Sequence, residues 1–171
     1  SCTFPEEAVR AVRVEGMPWR PDDVYTVKLE GAQLLGHRAI TICGTRDPGL
    51  IAQFDSFLES VRENVSTKAS AFGVAPEDYR LNIRVYGRDG VMGAREKVKQ
   101  TLSHELGVVA EVIADDQETA NDVLAMARPQ LLHVDFPGRL CKEGNMAFPF
   151  SPSDISCGPV YRFNVFHVVQ L

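Results

Sequence analysis

The sequence predicts an α+β fold in which two long helices cover one face of an antiparallel sheet. Two matching blocks, Arg38 to Tyr86 and Leu106 to Val169, each show the pattern of a strand, a helix and a second strand. Alternating apolar residues indicate the strands, and apolar residues three and four positions apart indicate the helices. The combined order of strand, helix, strand, strand, helix, strand is typical of the ferredoxin-like (split βαβ) two-layer sandwich. An extra amino-terminal strand precedes the first block.

Length and composition predict one domain. The chain has 171 residues, of which 44% are hydrophobic, and this is enough for a substantial core. Residues 1–23 are predicted to be an irregular lead-in, because three prolines interrupt any regular pattern there. Residues 24–171 are predicted to form a single ferredoxin-like α+β domain. The sequence opens on Ser1 without an initiator Met, so we expect a segment of a longer protein.

Charge and hydropathy argue against two classes of partner. The net charge of −5 disfavours binding to phosphate backbones, so we expect no nucleic-acid partner. No apolar run approaches the roughly 18 residues needed to cross a bilayer, so we expect no membrane partner and a cytoplasmic location.

The cysteines do not form a recognisable site. Cys2, Cys43, Cys141 and Cys157 are scattered without a Cys-x-x-Cys pair. A zinc site built from Cys141 and Cys157 with His133 would have spacings that match no zinc template. We therefore expect idle thiols, no metal and no cofactor.

The first block begins with a predicted edge hairpin. Alternation over Val24 to Glu30 predicts the extra strand, and Gly31 to Gly36 is predicted to turn it into the strand Arg38 to Gly44. Asp47 and Pro48 are typical of a helix start, since Asp caps free amides and Pro suits the first helical position. The apolar stripe of this helix is Leu50, Phe54, Phe57, Leu58, Val61 and Val65.

The first block ends with the strand Arg80 to Tyr86. Its alternation turns Leu81, Ile83 and Val85 toward the helices. The outward residues of this strand lack the aromatic motif of RNA-recognition domains, so we interpret this sheet face as an interface.

The second block repeats the pattern. A short surface helix over Ala94 to Ser103 leads to the strand Leu106 to Ala114. Asp115 to Glu118 offers a capping box for the second long helix, which Pro129 is predicted to kink or end. Tyr161 to Val169 is the closing strand.

A glycine loop after the strand Arg80 to Tyr86 is the first candidate site. Successive amides in such a loop can hold phosphate or carboxylate, and basic side chains lie nearby in the sequence. The Gly-x-x-Gly-x-x-Gly spacing is not the dinucleotide fingerprint, and a tight turn with positive φ is the favoured alternative. The ligand-binding candidates are Gly87, Arg88, Asp89, Gly90, Gly93 and Arg95.

The loop from Gly138 to Pro159 holds the second candidate site, because connections of this length are often functional. Its polar residues beside aromatic ones suit a ligand or partner contact. The Ser-Pro-Ser-Asp run equally suits turns held by side-chain to backbone bonds, and both alternatives stay open. The candidates are Asn145, Phe148, Ser151, Ser153 and Asp154.

No catalytic residue is evident. His104 precedes a strand, where Glu105 or Asp89 would be available to orient it as an acid or base. No nucleophile or triad spacing accompanies it, so a surface or strand-capping histidine is the favoured interpretation.

Several motifs together resemble one family of bacterial proteins. They are Asp47-Pro-Gly-Leu-Ile, Arg84 to Gly93, His104-Glu-Leu-Gly, Gly138 to Asn145 and Ala147 to Asp154. The chain resembles, over nearly its whole length, the carboxy-terminal region of the acyclic terpene utilisation (AtuA-type) family. The resemblance implies a ferredoxin-like region that accompanies a large amino-terminal domain, in catabolism of branched or terpenoid acids as acyl-CoA esters. It implies no particular reaction and no catalytic residues.

Three functions remain open. The first is an accessory or assembly domain that joins the amino-terminal AtuA-type domain, a full-length counterpart or copies of itself as a homo-oligomer. The second is the substrate-binding part of an acyl-CoA-metabolising enzyme, with Arg88 and Arg95 on phosphates and Ser151, Ser153 and Asp154 near the acyl end. The third is a small-molecule-sensing regulatory domain.

Overall fold

The computed structural model describes residues 2–140 and 142–171, and these form an α+β fold with antiparallel sheets and three helices. The elements in chain order are β1 (Glu6–Ala8), β2 (Ala11–Val12), β3 (Thr26–Thr45), α1 (Pro48–Ala52), α2 (Phe54–Ala71), β4 (Tyr79–Tyr86), a 3-10 turn (Gly93–Arg95), β5 (Leu106–Ala114), α3 (Gln117–His133) and β6 (Asp154–Gln170). No helix in the described ranges is long and apolar enough to span a membrane.

The chain divides into two compact units. The central unit is Ala32–Arg162, and the terminal unit combines the residues up to Gly31 with Phe163–Leu171. The sequence instead predicts a boundary after residue 23, and a single domain over residues 24–171 stays a prediction.

The central unit is built on a four-stranded sheet in the order β4-β5-β3-β6. β5 pairs antiparallel with β4 on one side and with β3 on the other. Thr45 pairs with Leu106 at one end of the β3–β5 ladder, and His37 pairs with Ala114 at the other. The predicted bounds of β5 are confirmed.

One hydrophobic core lies between this sheet and the helices. Alternate residues of β5 are fully buried, because successive side chains on a strand point to opposite faces. α2 contributes Phe54 and Phe57, whose ring centroids lie 5.6 Å apart, and Phe57 meets Phe136 edge-on at 6.5 Å. α3 adds the buried residues Ala120, Val123, Leu124, Ala127 and Leu131.

The predicted Asp47 cap is confirmed, whereas the predicted capping box over Asp115 to Glu118 is wrong, because α3 is capped by Asp116 with Thr119. Asp47 Oδ1 accepts hydrogen bonds from the amides of Gly49 at 2.7 Å and Leu50 at 3.1 Å. Asp116 Oδ1 accepts from the Thr119 amide at 2.8 Å. The backbone and side-chain hydrogen bonds from Thr119 hold the pKa of Asp116 below its ordinary value.

The terminal unit contains two short ladders. β1 and β2 form a small antiparallel hairpin, with Glu6 opposite Val12, so the lead-in is not wholly irregular as predicted. The second ladder joins the first part of β3 to the last part of β6, where the Leu171 amide donates to the Tyr25 carbonyl at 3.2 Å.

The predicted edge hairpin over Val24 to Gly44 is wrong. β3 is continuous from Thr26 to Thr45, so the extra amino-terminal strand is not a separate strand. Gly36 has φ +133° and is buried, and a Cβ there would lie 2.2 Å from the Ala114 carbonyl oxygen. The glycine therefore permits a close backbone approach within the sheet and does not form a turn.

Three other element predictions need correction. Pro129 does not end α3, which continues to His133 with Gln130 and Leu131 buried, and a kink at Pro129 stays a prediction. The predicted helix over Ala94 to Ser103 is only the 3-10 turn Gly93–Arg95. β6 begins at Asp154, so the preceding loop is shorter than predicted.

Candidate functional site

The glycine loop is a tight turn. The amides of Arg88, Asp89 and Gly90 all donate to the Val85 carbonyl oxygen, at 3.4, 3.2 and 2.8 Å. The Gly93 amide donates to the Asp89 carbonyl oxygen. These donors are therefore engaged within the loop, and this geometry favours the tight-turn interpretation over an amide cradle for phosphate. A ligand role for the loop stays a prediction.

Gly87 is required by the turn itself. Its φ is +90°, and a Cβ there would lie 2.9 Å from the Glu105 carbonyl oxygen. Both the backbone conformation and the close approach exclude a larger residue without strain. The turn alone therefore explains why position 87 is a glycine, without a ligand.

The Arg88 side chain is held at the boundary of two clefts. Its Nη1 lies 2.6 Å from Asp55 Oδ1, and its Nη2 lies 3.4 Å from Asp89 Oδ2. The guanidinium stands 5.9 Å from the ring centroid of Phe54. Its Nε is buried without a hydrogen-bond acceptor in the described structure. Asp55, on α2, was not among the predicted site residues.

The larger of these clefts, which we call the basic cleft, has a volume of about 750 Å³. Its cations are Arg46, Arg88 and Lys99, and Asp55 is the one carboxylate among its described lining residues. Pro48, Ile51 and Phe54 supply an apolar wall, and Thr101, Ser103 and His104 add polar groups. Sequence reasoning missed Arg46, which lies far from the glycine loop along the chain, and Lys99, which lies six residues after Gly93 in the segment predicted to be a surface helix.

The second cleft, of about 560 Å³, shares Arg88 and Asp55 with the basic cleft. Asp89, Gly90 and Gly93 line it together with residues of α2. Arg95 is in the 3-10 turn and lines neither cleft. The structure therefore distributes the first predicted group over more than one surface.

The second predicted group is mostly structural. The Asn145 amide donates to the Leu132 carbonyl at 2.8 Å, and its Nδ2 donates to the Val134 carbonyl at 2.7 Å. Asn145 is buried, and Phe148 packs against the hydrophobic core. These contacts tie the loop to the end of α3 and favour the structural alternative for both residues.

Ser151, Ser153 and Asp154 line a small cleft of about 250 Å³ with Arg128. Asp154 Oδ2 lies 3.1 Å from Arg128 Nε, so the carboxylate is already paired. The Ser153 carbonyl accepts a hydrogen bond from the Thr41 hydroxyl at 3.0 Å. The two predicted groups therefore line different clefts.

A buried carboxylate on the outer sheet face was also missed. Glu111, whose side chain is 7% exposed, has Arg38 Nε 2.6 Å away and Arg84 Nη2 3.6 Å away. The Arg38 N–H is not aligned for a hydrogen bond, so this is an ion pair. Asn82 Nδ2 donates to the same carboxylate at 3.4 Å. Alternation alone predicts an outward residue at this position, and cross-strand pairing explains its burial.

The terminal unit exposes many large apolar residues. We define the apolar ribbon as the exposed apolar residues of β3 and β6 in that unit. They are Leu29, Phe163, Val165, Phe166 and Val168, and they are between 44% and 62% exposed. Lys28 Nζ stands 5.1 Å from the Phe166 ring centroid, so a cation–π contact lies beside the ribbon. The sequence predicts only that Tyr161 to Val169 is the closing strand of the sheet.

No family model, no curated protein and no solved structure matches the chain. The resemblance to the AtuA-type family therefore stays a prediction from the sequence motifs. Among the described residues, no group of three or more His, Cys, Asp or Glu side chains is placed to hold a metal ion. Cys141, which entered the zinc alternative, lies outside the described residues.

Proposed function

We propose that this chain is an assembly domain that pairs with a second copy of itself through the apolar ribbon. The exposure of that ribbon is the observation on which the proposal rests. Phe163 and Phe166, 58% and 62% exposed, lie on one strand and point to opposite faces of it. Exposed apolar side chains on both faces of a strand mark an interaction site, because leaving them in water is unfavourable.

The backbone of the ribbon supports the same conclusion. β5 pairs with β3 only from His37 onward, and β6 is an edge strand. In the described structure the ribbon is therefore a two-stranded ladder with unpaired edges. Two-stranded ladders are marginally stable in water, and open edges can pair with another strand.

The charge of the ribbon favours a second copy as the occupant. Residues 163–171 contain no Asp, Glu, Lys or Arg, although the chain has a net charge of −5. In β3, Lys28 Nζ lies 2.6 Å from Glu30 Oε1, so that charge is paired locally. Two copies can therefore approach along this segment without like-charge repulsion. A twofold arrangement would match each open edge with its own equivalent.

The strand order β4-β5-β3-β6 supports a finer proposal about topology. The first strand of each block, β3 and β5, lies at the centre of the sheet, and the second strands, β4 and β6, lie at its edges. We propose that this is the ferredoxin-like arrangement. From the sequence resemblance alone, we also propose that the chain belongs to the AtuA-type family and acts beside the amino-terminal domain of that family.

The link to acyl-CoA or branched-acid catabolism has weaker support. It rests on the resemblance, and the glycine-loop amides expected to hold phosphate donate to Val85 instead. No observation favours a catalytic or sensing function over assembly.

Analytical ultracentrifugation tests the assembly proposal. We expect a dimer for the wild type at tens of micromolar and a monomer for Val168→Lys, because a buried lysine without a partner is costly. Val91→Lys is the matched control, since Val91 is 83% exposed in the central unit, and it should remain dimeric. A monomeric wild type, or a Val168→Lys dimer, would contradict the proposal. Binding to a full-length counterpart without self-association would do so as well, in favour of a different partner.

A further inference from the structure

We propose that the basic cleft binds a small organic anion, a carboxylate or phosphate ester with an apolar body. This inference is separate from assembly, because none of the cleft residues belongs to the terminal unit. Three cations around one carboxylate make the cleft locally positive, in a chain whose net charge is −5. A cleft lined by one sign of charge attracts ligands of the opposite sign.

Two of the groups in the cleft are free to bind. Arg46 has no ion pair or hydrogen bond to any described residue, and neither has the His104 ring. Lys99 Nζ donates to the Glu96 carbonyl at 2.9 Å but has no carboxylate partner. Arg88 is already paired with Asp55 and Asp89, so most of its charge is compensated. A ligand anion would therefore meet Arg46 and Lys99 first.

The remaining lining determines the kind of anion. Pro48, Ile51 and Ala52 form an apolar surface beside the cations, so a purely inorganic ion would leave it uncovered. Thr101 offers a hydroxyl donor to an additional ligand oxygen, whereas the Ser103 hydroxyl already donates to the Glu105 carbonyl at 2.7 Å. A volume of about 750 Å³ is within the range of small-molecule sites, and mixed apolar and polar walls are usual there. The chemistry thus fits an amphiphilic anion.

NMR titration of the ¹⁵N-labelled protein tests this inference with four probes. They are benzoate, phenyl phosphate, inorganic phosphate and the neutral benzyl alcohol. We expect saturable shifts of amides lining the basic cleft with benzoate or phenyl phosphate, and the tighter of the two identifies the anion class. Benzyl alcohol and inorganic phosphate should bind at least roughly fivefold more weakly. Benzyl alcohol lacks the negative charge, and inorganic phosphate lacks the apolar ring.

Matched variants complete the test. Arg46→Met and Lys99→Met should each weaken probe binding by roughly fivefold or more, because each removes a charge and retains an apolar stem. Arg80→Met is the control, as Arg80 is exposed on β4 and does not line the basic cleft. Val168→Lys should bind as the wild type does, which separates this inference from assembly. Absence of saturable shifts, equal binding of benzyl alcohol, or unchanged affinity in Arg46→Met would overturn it.

Discussion

The central unit buries its large apolar core residues, whereas the terminal unit leaves many of its large apolar residues exposed. In the central unit, Phe57 and Val61 are 2% and 0% exposed between α2 and the sheet. In the terminal unit, Phe163 and Trp19 are 58% and 86% exposed. The two units have similar kinds of side chain, but among the described residues only those of the central unit are buried in a core between sheet and helices. A strand without a covering layer needs a partner, so the contrast identifies the terminal unit as the place to look for assembly.

Thiol reactivity gives the largest expected contrast between the units. Burial raises the pKa of Cys43 from 9.0 to about 12, whereas Cys2 in the terminal unit is exposed. Such a rise in pKa lowers the fraction of Cys43 that is present as the reactive thiolate by about a thousandfold. With the other cysteines replaced by serine, we expect Cys2 to react with iodoacetamide on the order of 10³ times faster than Cys43. Comparable rates in the folded protein would show that the central core opens readily, and denaturant should equalise them.

Matched phenylalanine truncations compare the packing of the units directly. Phe57→Ala should lower the free energy of unfolding by about 3–5 kcal/mol, since it leaves a cavity in the core. Phe163→Ala should change the unfolding of the dissociated monomer by less than about 0.5 kcal/mol, because its ring is largely in water. Urea denaturation at low protein concentration measures both values. A large cost for Phe163→Ala in the monomer would contradict the contrast between the units.

Substitutions in the ion cluster around Glu111 measure how much a buried charge contributes to the stability of the central unit. Arg38→Met should destabilise the fold by about 2 kcal/mol, because it leaves a buried carboxylate with Arg84 at 3.6 Å as its remaining ion-pair partner. Glu111→Met should cost less than about 1 kcal/mol, since Arg38 and Arg84 are 38% and 56% exposed and can be hydrated.

A double-mutant cycle with denaturation measures this asymmetry. The double variant Arg38→Met with Glu111→Met should recover most of the loss caused by Arg38→Met alone. If Glu111→Met proved costlier than Arg38→Met, the carboxylate would be net stabilising and the outer sheet face would need another explanation.

The smallest expected effect concerns the cap of α3 at low pH. Hydrogen bonds from Thr119 lower the pKa of Asp116 in the folded state, so the folded state binds its proton less readily than the unfolded state. This contribution is present above the ordinary value of 3.8 and is lost as the pH falls through the lower folded value.

Melting temperatures of Asp116→Asn and wild type should therefore converge as the pH drops from 7 to 3. Asn still caps the helix but does not titrate in this range. Asp122→Asn is the control, because Asp122 is exposed on the same helix without a described hydrogen bond. A difference between wild type and Asp116→Asn that stays constant with pH would argue against a titrating cap.

Elements governed by local contacts were predictable from the sequence. The bounds of β5, the Asp47 cap and the buried stripe of α2 follow from alternation, a side-chain oxygen and helical spacing. Where distant backbone decides, prediction was wrong: Gly36 resembles a turn residue, yet it lies against Ala114 in a continuous strand. The basic cleft was predicted only in part, because the sequence indicated Arg88 but not Arg46, Lys99 or Asp55.

By itself the sequence determined the class of fold, because periodicity and capping depend on residues three or four positions apart. Only the tertiary structure decided which polar groups meet. The glycine-loop amides donate to the Val85 carbonyl, and the buried Glu111 pairs with Arg38. Arg46 lines the same cleft as Arg88. Such contacts join residues far apart in the chain, and their partners depend on strand register and packing, which no local pattern encodes.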